Sequence, residues 1–228
     1  VLHKIGKALM DVLSTRMLEP VLLQDAQAKG IRIDCIPFIE IRHRSTSDIV
    51  QQLGDLNSRD IFVFTSQHAV HAVMELIKNL HNKTYCIEGV TADTVRKTTL
   101  NIRATAPYAK ELIKLIEIDR EAHYYFFCGD KRLPTIPRFL QQNKLRFSEI
   151  ICYENIAVPQ KLHKQYEAIM FYSPSGVESY FSLNTPQPDQ KYYCIGTTTA
   201  QALSKYCKEN IIIAEKPEIR AMLEKING

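Results

Sequence analysis

The chain has 228 residues, 45% of them apolar and 24% charged, with a formal net charge of +4. No apolar run approaches the roughly 20 residues that span a bilayer, and Lys and Arg are scattered rather than gathered into a nucleic-acid-binding stripe. Neither a membrane nor a nucleic-acid partner is therefore expected, while a mild positive field suits an anionic small molecule.

Residues 1–10 are basic without a long apolar core or a cleavage site. They read as an extension or clipped start rather than a secretion signal, which predicts a cytoplasmic protein. Asp11 to Arg16 then reads as a short strand ending in a polar loop. Pro20 to Lys29 has helical spacing and stops at Gly30, a suitable C-cap. Ile31 to Ile36 alternates as a half-buried strand does, and Pro37 to Ile41 continues it in extended form.

Next come a helix over 46–56, a strand over 61–65, a helix over 67–80, a strand over 84–87 and a helix over 91–98. A short strand over 101–104 and a helix over 109–118 precede the aromatic strand Tyr124-Tyr125-Phe126-Phe127-Cys128. A helix over 135–143 and a strand over 147–153 follow. The remainder continues as strand 168–172, helix 175–183, strand 191–195, helix 198–206, strand 210–214 and helix 217–226. Strands alternating with helices predict an α/β fold with parallel sheets flanked by helices.

A block occurs twice. Phe64-Thr65-Ser66-Gln67-His68-Ala69-Val70 is echoed by Phe171-Tyr172-Ser173-Pro174-Ser175-Gly176-Val177. Each copy is answered downstream, by Ile87-Glu88-Gly89-Val90-Thr91-Ala92 and by Ile195-Gly196-Thr197-Thr198-Thr199-Ala200. A repeat of this length is a domain, not a solenoid unit. The repeat also has a first half, since Leu13 to Arg16 aligns with Phe127 to Asp130 and Pro37 to Ile41 with Ile151 to Asn155. Two similar flavodoxin-like domains follow, one continuous over 42–150 and one assembled from 1–35 plus 159–228. Segments 36–41 and 151–158 are the expected crossovers between the domains, as a pair.

Six cysteines include no C-x-x-C pair, and four lie in strand-like apolar runs, so buried free thiols are expected. His68 and His71 stand three apart on a helix without a third ligand, and no metal site is expected. Nucleotide-binding glycine patterns and G-x-S-x-G elbows are absent. In parallel sheets, ligands collect beyond the carboxyl ends of the strands. At that edge fall Thr65-Ser66, Thr91, Gly129, Ser173-Pro174-Ser175-Gly176 and Gly196-Thr197-Thr198-Thr199. Their hydroxyls either cap the following helix or, with exposed N–H groups, bind carboxylates or phosphates. Tyr153, at a crossover, is a candidate acid–base group or a packing tyrosine.

In order and spacing these loops resemble the uroporphyrinogen-III synthase family. The resemblance rests on the two blocks above, on Cys128-Gly129-Asp130, on Ile151-Cys152-Tyr153-Glu154-Asn155 and on Ala214-Glu215-Lys216-Pro217, and it covers the chain from about residue 11. It implies a monomeric enzyme of two α/β domains joined by a two-stranded β-ladder linker, with its site in the cleft between them, needing neither cofactor nor metal. Its substrate would be hydroxymethylbilane, a linear tetrapyrrole with eight carboxylates, closed with inversion of ring D and loss of water. Tyr153 matches the family tyrosine proposed to protonate the departing hydroxyl. Ser66, Thr91, Ser173, Gly176, Thr198 and Thr199 match loop positions associated with substrate carboxylates. Gly129, Ser175 and Gly196 belong to the same loops, and Arg16 fits a strand-end Thr-Arg. Glu88 stands where the second copy has Gly196, which weakens the first loop as an anion site. The rival readings are a two-domain hinge protein that binds an anion without chemistry, and a regulatory receiver lacking its acidic cluster.

Overall fold

The computed structural model describes residues 9–227, so residues 1–8, with most of the expected extension, lie outside the described residues. The chain opens with β1 (Met10–Ser14), α1 (Pro20–Ala28) and β2 (Ile31–Cys35). Pro20 stands in the first helical turn, where a missing N–H costs nothing, and Gly30 closes the helix at φ +79°. Then follow β3 (Ile39–His43), α2 (Thr46–Gln52), β4 (Ile61–Phe64), α3 (Gln67–Ile77), β5 (Lys83–Ile87) and α4 (Val90–Val95). After them come β6 (Asn101–Ala106), α5 (Ala109–Leu112), β7 (His123–Gly129), α6 (Thr135–Gln142) and β8 (Arg146–Ala157). The remainder is β9 (Ala168–Phe171), α7 (Pro174–Phe181), β10 (Lys191–Cys194), α8 (Thr197–Leu203), β11 (Ile211–Ile213) and α9 (Ile219–Asn227).

The chain forms two compact units, one from residues up to Glu40 and from Ile156 onward, the other Ile41–Asn155. The first holds a sheet in the order β11-β10-β9-β1-β2, the second a sheet in the order β3-β8-β7-β4-β5-β6. Within the first, β1 pairs in parallel with β2 and β9, and β10 with β9 and β11. Within the second, β4 pairs in parallel with β5 and β7, β5 with β6, and β7 with β8. Each sheet has one place where the connections diverge, β1 beside β9 in one and β7 beside β4 in the other. There the loops leave in opposite directions and open a crevice at the carboxyl edge of that sheet.

Strand β7 shows why these sheets are buried on both faces. Tyr124, Phe126 and Cys128 point into a core with Ile61, Val63 and Leu140, while Tyr125 and Phe127 point into another with Phe62, Phe64 and Val70. Phe64 and Phe127 stack with centroids 4.8 Å apart. Burying one such ring contributes about 1.5–3 kcal/mol. Helix α3 covers that face with Ala69, Val70, Val73 and Ile77, all at helical spacing.

Several helices end earlier than expected, α2 at Gln52 rather than 56, α3 at Ile77 rather than 80, α4 at Val95 rather than 98 and α8 at Leu203 rather than 206. Two elements, α5 and β8, depart in a way the structure explains. Helix α5 ends at Leu112 rather than 118 because tertiary bonds capture the chain beyond it. The Glu117 N–H donates to Tyr85 Oη at 3.2 Å, and Tyr124 Oη donates to the Glu117 carbonyl at 2.6 Å. Helix propensity over a few residues is a weak preference beside such anchors. Segment 151–158 does not begin as a strand of its own, because β8 runs unbroken from Arg146 to Ala157, and the division between the two units falls within it, at Asn155–Ile156. On the other side Pro37, which has no N–H to give a ladder, keeps 36–38 out of the strand, and β3 begins at Ile39. The two crossovers are nonetheless neighbours, since β3 lies beside β8 in the sheet.

All six cysteines are free thiols, but only Cys86, Cys128, Cys152 and Cys194 are buried; Cys35 and Cys207 are half-buried. Burial pushes the Cys86 thiol up to about 11 and those of Cys128, Cys152 and Cys194 up to about 12. Because the thiolate is the nucleophile, native protein treated with iodoacetamide at neutral pH is expected to alkylate at Cys35 first and at Cys207 more slowly. Peptide mapping that found Cys128 or Cys152 among the fast sites would contradict this packing.

Candidate functional site

In the Ile41–Asn155 unit, β4 runs out into Thr65-Ser66 and then into α3. Ser66 is extended (φ −152°, ψ 136°) and its hydroxyl oxygen accepts the His68 backbone N–H at 3.2 Å, capping the helix. One neighbouring strand, β7, ends at Gly129, which is in register with Tyr153 on β8 across a local irregularity. The Tyr153 ring lies directly against Gly129. A Cβ placed on that glycine would come within 2.5 Å of Tyr153 Cε2 and Cζ and 2.9 Å of the phenol oxygen. Only a residue with no side chain admits the ring there.

Tyr153 is 9% exposed. Burial pushes its phenol pKa up, while the neighbouring Ser66 hydroxyl opposes that shift. The group is therefore a neutral proton donor at physiological pH, with a hydroxyl in place to steady the phenolate that donation leaves. Two imidazoles complete the cluster. The His68 ring packs edge-on against Tyr153 at 5.5 Å between centroids, and His43, on β3, lies 5.9 Å from His68 and 6.4 Å from Tyr153.

Behind the phenol, Asp130 fastens β7 to β8. Its carboxylate accepts the Asn155 backbone N–H at 2.9 Å and its side-chain amide at 3.0 Å, and the Asp130 N–H donates to the Tyr153 carbonyl at 3.1 Å. Burial tends to raise the Asp130 pKa, but the Asn155 bonds and Lys131 outweigh it and hold the carboxyl below its ordinary value. On the other side of β4, β5 ends in Ile87 and the chain passes exposed Glu88 to Gly89, whose φ of +69° favours glycine. Thr91 follows in the first turn of α4 and is buried.

The other unit carries its own version of this edge. Ser173, extended after β9, caps α7 by accepting the Gly176 N–H at 3.1 Å, with Ser175 Oγ 3.2 Å away. Strand β1, beside β9, ends in Ser14, Thr15 and Arg16. Thr15 Oγ1 donates to the Met170 carbonyl at 2.7 Å, tying the two strand ends together. Ser14 Oγ donates to the Arg16 carbonyl at 2.7 Å and lies 2.9 Å from Tyr172 Oη. The exposed Arg16 guanidinium sits 5.1 Å from the Tyr172 ring centre, within cation–π range. After β10, Gly196 is simply extended (φ −176°), a conformation open to any residue. Thr198 is exposed, but Thr199 is 1% exposed and turned into the core.

Within each unit, then, the expected residues do gather at one sheet edge: Ser66, Thr91, Gly129 and Tyr153 in one, Arg16, Ser173, Ser175, Gly176, Gly196 and Thr198 in the other. Both cap serines spend an oxygen lone pair on a helix N–H, yet accepting leaves a hydroxyl able to donate to an anion. The first turns of α3 and α7, half-buried at their outset, add the positive end of a helix dipole. Such an edge suits carboxylates. The buried hydroxyls of Thr91 and Thr199 are hidden from solvent by comparison with Thr198. Sequence reasoning missed His43, Asp130, Asn155 and Tyr172. It weighed His68 only as a metal ligand, and no cluster able to hold a metal ion occurs among the described residues. No helix among the described residues is long and apolar enough to cross a membrane.

A model of the family described as Uroporphyrinogen-III synthase HemD matches residues 21–224. Among solved structures, uroporphyrinogen-III synthetase from Helicobacter pylori is 16% identical, with a TM-score of 0.66 over 96% of this chain and 98% of that one. A triply substituted uroporphyrinogen III synthase from Thermus thermophilus is 16% identical, with a TM-score of 0.68 over 95% and 97%. The wild-type form of that enzyme in another crystal is 15% identical, with a TM-score of 0.52 over 96% of each chain. At these identities the likeness speaks for the fold. No curated protein matches the sequence.

Proposed function

The chain belongs to the uroporphyrinogen-III synthase family, and from that premise we propose that Tyr153 is the general acid of the cyclisation. In this reading Tyr153 gives its proton to the hydroxyl of the ring A hydroxymethyl group of hydroxymethylbilane, which leaves as water. The azafulvene cation so formed is attacked by the substituted carbon of ring D to give a spiro-pyrrolenine. The bond from that carbon to the ring C methylene then breaks, and the methylene bonds instead to the free α-carbon of ring D, which leaves ring D inverted. Closing the last pyrrole releases one proton, so the balance is one bilane to one uroporphyrinogen III and one water.

The observation that carries this reading is the close fit of Tyr153 over Gly129 beside the Ser66 hydroxyl. A phenol so held keeps its proton at neutral pH, and the Ser66 hydroxyl beside it offsets part of the cost of the phenolate. Arg16, Ser173, Ser175, Thr198 and the start of α3 would hold substrate carboxylates, with Ser66 serving the phenol, and with Gly176, whose N–H goes to Ser173, and buried Gly196 supporting their loops. Thr91 and Thr199, both buried, would shape the loops that carry those donors. Holding the flexible bilane so that ring D meets the cation is a proximity effect, which can supply several kcal/mol of the barrier, on the order of 7–11 for well-oriented groups. The reading carries with it a monomeric cytoplasmic lyase working without metal or cofactor.

The experiment is isomer analysis of the product. Purified protein given hydroxymethylbilane is expected to yield type III uroporphyrinogen. If chromatography finds only the type I isomer that forms spontaneously, the activity is refuted.

A further inference from the structure

We infer that His68 is a positioning and proton-exchange residue for Tyr153, with His43 connecting it to solvent. The inference rests on the reading of Tyr153 as the general acid. Three rings from three elements meet here: Tyr153 from β8, His68 from the first turn of α3 and His43 from the end of β3. Their centroids lie 5.5, 5.9 and 6.4 Å apart, at mutual tilts of 62°, 61° and 52°. Exposure grades along the group: Tyr153 is buried, His68 half-buried and His43 exposed.

The start of α3 meets the phenol at two residues. The Ser66 hydroxyl beside Tyr153 opposes the upward push of burial on its pKa, and it also accepts the backbone N–H of His68, whose ring packs on Tyr153. Any shift of the Ser66 cap therefore moves the hydroxyl and the imidazole together, and the His68 edge limits how far the phenol ring can turn. The other titratable groups facing the phenol are Asp130, Cys128 and Cys152, from β7 and β8. Beside His43 on the strand side stands Arg44, paired with Glu154 at 2.9 Å.

Chemistry gives the arrangement a use. Having passed its proton to the departing hydroxyl, Tyr153 is a buried phenolate and needs one proton back before the next turnover. The final pyrrole closure releases one. An imidazole titrates near neutrality and has two nitrogens, so it takes up a proton on one side and gives one from the other. His68 is placed to hold that proton next to the phenolate and to exchange it through His43 with water. No oxidant, reductant or further reactant enters the cycle.

The test separates packing from proton exchange. His68→Phe keeps an aromatic edge against Tyr153 and loses both nitrogens. It is expected to lower kcat for type III formation about tenfold or more, with KM within twofold and an unchanged melting temperature. His68→Ala is expected to recover turnover as imidazole is added to the buffer, while Tyr153→Phe does not respond to imidazole. Wild-type turnover by His68→Phe would overturn the inference, as would a folded His68→Ala that ignores imidazole. If wild-type protein makes type III product and Tyr153→Phe is slow, such a result condemns the role of His68 alone. If Tyr153→Phe is as fast as wild type, the general acid lies elsewhere and both fall.

Discussion

Replacing Tyr153 with phenylalanine is expected to lower kcat about 100-fold or more while leaving KM within a few-fold and the fold intact. General acid catalysis contributes about 10²–10⁴-fold, and the proton moves only in the transition state, so kcat bears the loss. Phenylalanine keeps the ring that packs over Gly129 and removes only the hydroxyl beside Ser66. The cost to stability should not exceed about 1 kcal/mol, because Ser66 retains the His68 N–H as a partner. Circular dichroism melting and steady-state kinetics on one preparation decide between the readings. A variant that melts normally and turns over normally makes Tyr153 a packing residue. One that fails to fold would mean that the hydroxyl holds the site together more strongly than a single hydrogen bond does.

Much of this edge was legible before any coordinates. A serine directly after a buried four-residue strand, followed by a helical apolar stripe, is a cap by its position. Ser66 and Ser173 are both caps, with oxygens 3.2 and 3.1 Å from the N–H groups they accept. Parallel pairing then carries them to the carboxyl edge without further information. What stayed hidden depends on neighbours distant in the chain. His68 reads alone as a polar residue on an amphipathic helix. Only the pairing of β3 with β8 brings His43 to it, and no local pattern encodes that contact. Thr198 and Thr199 are identical in type and differ by one helical step, which turns one to solvent and the other into the core. Periodicity could have separated them, had the start of α8 been known to within a residue. The continuity of β8 was hidden for a simpler reason: a strand and an extended linker look alike when no turn residue divides them.

Gly129→Ala is the second large effect expected, and it tests the geometry rather than the chemistry. The new methyl group would meet Tyr153 Cε2 and Cζ at 2.5 Å, so the ring or the strand must move. Overpacking of this kind costs about 1–3 kcal/mol. The easier escape is for the ring to swing off its bed, which pulls the phenol from Ser66. Turnover should then fall at least tenfold, even though alanine adds no polar group and removes none. Gly176→Ala is the control: its methyl would lie 3.3 Å from Ser173 Oγ, clear of any contact as short as those at Gly129, and at most loosens that cap, a cost of about 1 kcal/mol. A double-mutant cycle isolates the clash. In a Tyr153→Ala background the ring is gone, so Gly129→Ala should cost much less there than in wild type, a coupling of about 1–3 kcal/mol in melting experiments. Equal costs in the two backgrounds would place the penalty in the β7 backbone and remove Gly129 from the account of how the phenol is held.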